Sequence, residues 1–326
     1  MKALHAKNPA AYTVAELCGL FGKSKQAYYK HDWDTDLRSI SQEEFAQQFI
    51  RAVRDKDPGI GGVKIWIMYC NEFGVSDRIG RDRFLDIFDR LGLKLRRRRH
   101  KPRTTDSSHG NPLYPNIIKD IIPMRLGEII VGDITYFPIY PKHGSSDAGT
   151  RVFAYINLLM DSRTKIVIGR SVALTLEARY TIEALIQGIE TLESLGVDCS
   201  GTIHHSDRGV QYTSFGYIEV LRSKHMGISM TESGNPKDNA EAERINNTIK
   251  NELLKDMAFH SLEELVDALD KAIDFYNNER PHASLGMLTP VAAAGVSGRF
   301  KRYWRSYREE AIDRKNMENE VRLAAV

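Results

Sequence analysis

The stretch Ile129-Ile-Val-Gly-Asp-Ile-Thr-Tyr-Phe137 decides the fold. It is a strand-length run of β-branched and aromatic residues with one carboxylate in its middle. Working outward, Val152-Phe-Ala-Tyr-Ile-Asn-Leu-Leu-Met160 is a second such run, beyond a Gly, Ser, Pro and Lys-rich loop over 139–150. A third covers 165–173, after the turn Asp161-Ser-Arg-Thr. Three consecutive strands with short connections predict an antiparallel meander. Residues 176–195 carry apolar side chains at 178, 182, 185, 186, 189 and 192, a helical period, and a short strand follows over 201–205. Helices are predicted over 215–224 and 239–254. The order β-β-β-α-β-α-α describes one mixed sheet covered by helices, an α/β fold.

Three acidic residues stand out against this frame. Asp133 interrupts a strand that otherwise belongs to a core, Asp207 follows the strand ending at His205, and Glu243 lies in the first turns of a helix. A carboxylate in or at the end of a buried strand is costly unless it is paired or binds a metal. Asp238 and Glu241 have capping-box spacing at the start of that helix, and Ala242, Ile245, Ile249 and Leu253 form its apolar stripe. Glu243, Asn247 and Lys250 then share a neighbouring stripe, which reads either as a functional face or as a solvated one. Asp161 reads as a turn residue, and paired His204 and His205 as packed or hydrogen-bonded side chains with no metal-ligand spacing.

The front of the chain has a different pattern. A short helix from Thr13, a turn at Phe21-Gly22-Lys23 and a second helix capped by Ser24 and opened by Lys25 have helix-turn-helix spacing. A second such unit runs from 62 to 72, turns at Phe73-Gly74-Val75, and continues in a helix over 77–91 capped by Ser76. There Arg78, Arg81 and Arg83 are left for an external partner. Next comes Lys94-Leu-Arg-Arg-Arg-Arg-His-Lys-Pro-Arg103, with seven Lys or Arg in ten residues. Beside two helix-turn-helix units this run reads as a phosphate-tracking linker, so Arg96, Arg97, Arg98, Arg99, Lys101 and Arg103 join Lys25, Arg78 and Arg81 as candidate DNA contacts.

The formal net charge of +3 hides an asymmetry. Residues 1–126 hold 23 Lys and Arg against 15 Asp and Glu, or +8, which leaves 23 against 28, or -5, for 127–326. That joins a polyanion-binding front to a carboxylate-using back. A chain of 326 residues excludes a peptide or a disulfide-stapled miniprotein. No apolar run approaches the roughly 18 residues of a membrane span. Three scattered cysteines, Cys18, Cys70 and Cys199, point to a reducing compartment, the cytoplasm by default.

Taken in order, Val131-Gly-Asp-Ile-Thr-Tyr136, His205-Ser-Asp-Arg-Gly-Val-Gln-Tyr-Thr-Ser214, Glu232-Ser-Gly-Asn-Pro-Lys-Asp-Asn-Ala-Glu-Ala-Glu243 and Tyr276-Asn-Asn-Glu-Arg-Pro-His282 resemble successive blocks of a known family. It is the insertion-sequence transposases of the IS-three type, specifically the second-reading-frame product, whose core is similar to retroviral integrases. The resemblance spans roughly residues 12–292 and includes the 35 residues between Asp207 and Glu243. It implies a ribonuclease-H-like core with Asp133, Asp207 and Glu243 as catalytic, metal-holding triad. It places Lys250 where related integrases carry a DNA-contacting lysine, and His205 and Asn239 behind the carboxylates. Two departures stand out: Ile129 and Ile130 replace a usual tryptophan, and the 139–150 loop is longer than usual.

The chemistry agrees with the residue types. Phosphodiester cleavage and rejoining is an in-line displacement that two divalent ions can assist, and Mg²⁺ prefers oxygen ligands. The expected cofactor is two Mg²⁺, with Mn²⁺ as substitute, Asp133 bridging both, Asp207 on one and Glu243 on the other. The expected partners are element terminal inverted repeats, target DNA, other protomers and an upstream-frame protein, in a prokaryotic cytoplasm at the nucleoid and without a membrane. The domain expectation is two helix-turn-helix units at 1–40 and 41–93, a basic linker at 94–126, the core at 127–292 and a tail at 293–326. In the tail, Arg299, Lys301, Arg302, Arg305 and Arg308 alternate with Phe300, Tyr303, Trp304 and Tyr307, suited to DNA or another protomer. The rival readings are a nuclease on the same scaffold and a DNA-binding regulator with an inactive core.

Overall fold

The β-branched run around Asp133 becomes the central strand β1, Ile129–Ile139, in a computed structural model of the chain. The structure describes residues 1–7, 9–30, 33–74, 78–93, 110–141, 151–232 and 239–324. Strands β2 (Val152–Asp161) and β3 (Val167–Ala173) complete an antiparallel meander with β1. Strand β4 (Ile203–Ser206) pairs parallel to β1 on its other side, and β5 (Gly227–Met230) pairs parallel to β4. The order β3-β2-β1-β4-β5 is the ribonuclease-H-like mixed sheet.

Both faces are covered. Ile130 and Ile134 of β1 face a core built with Ala184, Leu185, Ile189 and Leu192 of α7 (Ala178–Ser194) and Tyr217, Ile218 and Leu221 of α8 (Phe215–Ser223). Period-two alternation turns Ile129, Val131 and Asp133 the other way. On that face lies α9 (Ala240–Thr248), which runs into a π-helical turn, Ile249–Leu253; α10 (Leu262–Asn278) packs against that turn and β3.

Several boundaries differ from the sequence reading. β3 starts at Val167 because Lys165 closes the preceding turn in a left-handed conformation, φ 63°. β5 was absent from the expected pattern. Glu241 does not close a capping box on α9: it accepts from Ser162 Oγ (2.6 Å) and pairs with Lys165 (2.9 Å), while Asp238 lies outside the described residues. At α10 the Ser261 hydroxyl does accept from Glu264 N, but Glu264 returns to His260 N. The expected linker is, over 110–126, laid along the sheet edge, with Ile117 N donating to Ser229 Oγ and Tyr114 and Leu126 against the core.

The chain divides into two compact units, one of residues 1–52 and 69–94, the other of 53–68 and 95–326. In the first, α2 (Val14–Leu20) and α3 (Lys25–Lys30) flank a turn at Gly22, whose φ of 59° suits glycine. Thr13 and Glu16 form a full capping box on α2. A long α4 (Trp33–Lys56) was not foreseen, and the expected boundary at 40/41 falls inside it. α5 (Gly62–Glu72) is as predicted, but α6 spans Arg81–Arg90 after the non-helical residues 78–80, while the expected Ser76 cap and the start at 77 lie outside the described residues. Glycine at 80 is extended, a conformation that ends rather than continues a helix. Tyr69 and Phe84 are fully buried there, within 5.0 Å ring to ring.

Beyond α10 the chain forms α11 (Pro290–Ala294) and an unforeseen helix α12 (Tyr307–Ala324). Among the described residues no helix is long and apolar enough to cross a membrane.

Candidate active site

Three elements converge on one end of the sheet. The β1–β4 register sets Val131 opposite His205, so two residues further on, Asp133 on β1 and Asp207 just past β4 leave the same edge of the parallel pair. α9 crosses the Asp133 face, with Glu243 in its first turn. Asp133 is half-buried, Asp207 likewise, and Glu243 is exposed. Burial pushes the Asp133 carboxyl up to about 7, and the charges of Asp207 and Glu243 push the same way. An Asn246 donor (2.8 Å to Oδ2) and the Ile134 backbone N–H oppose that rise. Asp207 accepts from Gly209 N at 2.9 Å, so its own turn orients the carboxylate.

Around this trio the polar groups are buried and specific. Asn239, at the head of α9, donates to the Gly132 carbonyl next to Asp133 (3.2 Å), while its own Oδ1 is buried without a hydrogen-bond partner. His205 is fully buried and shares a hydrogen bond with Ser229 Oγ (2.9 Å), which ties β4 to β5. His204 on the opposite face meets Tyr217 OH at 2.8 Å, and burial holds it neutral, its pKa depressed to about 3. Asp161 is a turn residue as expected: it accepts from Gly127 N, Thr164 N and Thr164 Oγ1, and burial raises its pKa.

The structure places the remaining candidates as follows. Lys250 lies in the π-helical turn, where its Nζ donates to the Tyr136 carbonyl (2.8 Å) and stands 3.9 Å from the centroid of that ring. The wider turn also takes it off a strict i, i+4, i+7 stripe with Glu243 and Asn247. Lys25 is exposed at the start of α3; Arg81 is exposed and paired with Asp82 at 3.2 Å; Arg78 sits half-buried beside the Cys70 thiol. Arg83 is not left for an outside partner, since it donates to Ser39 Oγ (2.6 Å) and pairs with Glu43. Arg96, Arg97, Arg98, Arg99, Lys101 and Arg103 lie outside the described residues. Arg280 of the Tyr276–His282 block is buried and bidentate on Glu252 at 2.7 and 2.9 Å.

Asn246 was not singled out in the sequence. Its signal was its place on the buried side of α9, one residue after Ile245 and three after Glu243. The donor set fits a divalent cation, being three carboxylates from three elements, and burial, together with the charges of Asp207 and Glu243, disfavours the ionised form of Asp133 until a cation is near. As they stand, no three His, Cys, Asp or Glu groups among the described residues are in ligating geometry.

An acidic trio at the open end of a ribonuclease-H-like sheet defines a class, the metal-dependent polynucleotidyl transferases. Residues 124–236 and 224–290 both match the integrase core domain. The protein assigned as transposase for insertion sequence element IS986/IS6110 of Mycobacterium tuberculosis is 30% identical over 274 residues, 81% of this chain and 92% of that one. The transposase for IS629 and a 31 kDa protein of element IS600, both from Shigella sonnei, are each 26% identical. They cover 86% and 85% of this chain and 91% and 96% of their own. The chain belongs to the insertion-sequence transposases with an integrase-like core, and is a DDE-type polynucleotidyl transferase. Among solved structures, a chain of the simian T-cell lymphotropic virus intasome with PP2A regulatory subunit B56 gamma matches at TM-score 0.43 and 16% identity, over 70% of this chain and 72% of that one. The HTLV-2 integrase catalytic core with magnesium matches at TM-score 0.36 and 22% identity, over 52% and 97%.

Proposed function

We propose that Asp133, Asp207 and Glu243 are the residues with which this transposase cleaves the ends of its element and joins them to target DNA. The observation that carries this is the convergence of the three carboxylates, from β1, from the end of β4 and from the first turn of α9, close enough that Asp207 and Glu243 add to the burial that pushes Asp133 up. Carboxylates held close enough to disfavour one another's ionisation are poised for a cation to relieve them. Asp133, Asp207 and Glu243 would hold two Mg²⁺ ions, or Mn²⁺ in their place, which when bound would supply the charge that activates an attacking oxygen and stabilises a leaving one.

The chain's own groups have separable tasks. Asn246 holds one oxygen of Asp133 and favours its ionised form, Asn239 fixes the Gly132 carbonyl beside it, and His205 locks β4 so that Asp207 emerges in place. Lys25, Arg78, Arg81, Lys250 and the basic run 94–103 bind terminal repeats and target, and the active species is an oligomer. Water attacks in cleavage and a DNA 3′-hydroxyl in transfer, so no covalent protein intermediate forms.

The test is labelled terminal-repeat DNA with target plasmid and Mg²⁺. Joined product is expected from the wild-type chain. Asp207→Asn abolishes joining while end binding stays nearly intact; a variant that joins at the wild-type rate sinks the assignment. Cleavage without joining indicates a nuclease, and binding alone a regulator.

A further inference from the structure

The aromatic and basic stretch before α12 is not used by the carboxylate site. Residues 299–308 contain five Arg or Lys and no acidic residue, interleaved with Phe300, Tyr303, Trp304 and Tyr307. Phe300 is anchored, with the Arg163 guanidinium 4.7 Å from its ring and Arg163 donating to the Val296 and Gly298 carbonyls at 2.8 Å. At the other end Arg308 donates to the carbonyls of Ile118, Lys119 and Ile121. From 301 to 306 the chain is irregular and Tyr307 opens α12; the aromatic side chains point out, Tyr303 58% exposed, Trp304 46% and Tyr307 74%. Three large aromatic rings left this exposed within five residues mark a contact surface.

The cations are arranged around those rings. Lys301 Nζ lies 5.6 Å from the Tyr303 centroid, and the Arg305 guanidinium 5.2 Å from that of Tyr307. Arg299, Arg302 and Arg305 are in turn held by Asp313, Glu309 and Glu310 of α12. The Arg299 and Arg305 pairs are exposed, contribute little and yield readily to a phosphate, while the Arg302–Glu309 pair is half-buried; all three fix the guanidiniums in advance. Rings for stacking with cations between them are the chemistry of unpaired nucleic acid. A protein partner would be expected to find an apolar or acidic complement here, and a surface this basic selects a polyanion instead. Arg308 also lines a cavity with His205, Asn239 and Ala240, so the stretch ends beside the first turn of α9 that carries Glu243.

We infer that residues 301–307 form a platform for unpaired DNA, on which Tyr303, Trp304 and Tyr307 stack bases and Lys301, Arg302 and Arg305 meet phosphates. It rests on the transposase reading for its source of substrate: strand cleavage at an element end frees a strand whose bases can leave the duplex. The platform would hold that strand while its 3′-hydroxyl is presented for transfer.

The test uses the full chain with oligo(dT) and, separately, terminal-repeat duplex. Oligo(dT) is expected to quench tryptophan fluorescence, and Trp304→Ala to remove most of that quench. The triple variant Tyr303→Ala/Trp304→Ala/Tyr307→Ala should bind oligo(dT) at least tenfold more weakly, with duplex binding altered less than threefold. Trp304→Phe, which keeps a ring to stack, should stay within about threefold of wild type. All these side chains are exposed, so unchanged melting temperatures are expected and checkable. Unaltered oligo(dT) binding by the triple variant overturns the platform. So does loss of self-association with strand binding intact, which would assign the rings to a protomer contact. A wild-type chain that fails to join ends yet needs Trp304 for oligo(dT) overturns the transposition reading and leaves the platform standing.

Discussion

Asn246 holds the most consequential hydrogen bond in the core, from Nδ2 to Asp133 Oδ2 at 2.8 Å. It favours the ionised carboxylate against burial and against the Asp207 and Glu243 charges, which have raised the pKa of Asp133 to about 7. Asn246→Ala removes that support, so the carboxyl rises further and the form that binds a cation is populated only at higher pH. The acid limb of the joining rate is expected to move up by about one pH unit, the equivalent of losing one hydrogen bond to a charged group, and the Mg²⁺ needed for half-maximal joining should rise. A pH profile and metal titration superimposable on wild type would reduce Asn246 to packing. Asp133 and Asp207 stood out because carboxylates in or beside apolar strands are anomalous in any sequence, whereas Glu243, on a helix, joined them as a site residue only through the family resemblance. Asn246 did not stand out, because an asparagine inside a helix reads as surface, and only the sheet passing beneath α9 gives it something to hold.

At the scale of elements, residues 53–68 are fastened to the π-helical turn and the end of α10 by a buried ionic group. Arg280 is bidentate on Glu252, Lys64 reaches Glu252 at 3.1 Å, and Asp57 lies 3.8 Å from Arg280. Asp57 is fully buried, accepts from Gly59 N at 3.1 Å, and keeps its Oδ2 without a hydrogen bond. Burial, then the Glu252 charge, push its carboxyl from 3.8 to about 7, against the pull of Arg280 and Lys64. A carboxyl with a raised folded pKa binds its proton more tightly in the folded than in the unfolded chain. Its contribution to stability is therefore complete below about pH 4 and fades as pH rises to 7. Asp57→Asn keeps the Gly59 bond and carries no charge, so its stability relative to wild type should climb steadily between pH 4 and 7.5. Melting temperatures of both chains across that range measure it, and a constant difference refutes it. Buried His204 and His282, each depressed to about 3, act on both chains alike and cancel in the comparison. The Arg280-Pro281 block was recognisable as a motif, but its partner Asp57 lies more than two hundred residues away in sequence and no local pattern joins them.

The same scale shows which elements a sequence betrays. β1 to β4, α7 and α8 carry strong period-two or helical patterns, and their predicted ends fall within about two residues of those observed. β5 is four residues opening on glycine, too short to show a period, and exists because β4 offers it an edge. α4 and α12 are polar on most of their surfaces; α12 buries Ile312 and little else, so hydrophobic periodicity had nothing to mark. The mixed sheet needs only the order of the strong elements, which explains why the fold was readable while its periphery was not.

For the whole molecule the decisive quantity is the uneven charge, +8 over residues 1–126 against -5 over 127–326. On the proposed reading a trio of carboxylates would repel the DNA it cuts, and cations at the site would neutralise that only locally, within a Debye length of roughly 8–10 Å. A separate source of attraction has to hold the polyanion, and the run from Lys94 to Arg103 is the densest cationic segment of the chain. If it tracks phosphates, each contact releases counterions, and the logarithm of affinity falls with the logarithm of salt by about 0.9 per phosphate. Replacing Arg96, Arg97, Arg98 and Arg99 with glutamine is then expected to weaken binding to terminal-repeat and unrelated duplex by similar factors. It should also flatten the salt slope by about 3 to 4. Discrimination between the two duplexes should survive, because phosphate contacts position without reading bases. Titrations at several salt concentrations decide it: an unchanged slope returns the run to a solvated connector and transfers the electrostatic grip to the helix-turn-helix units and Lys250.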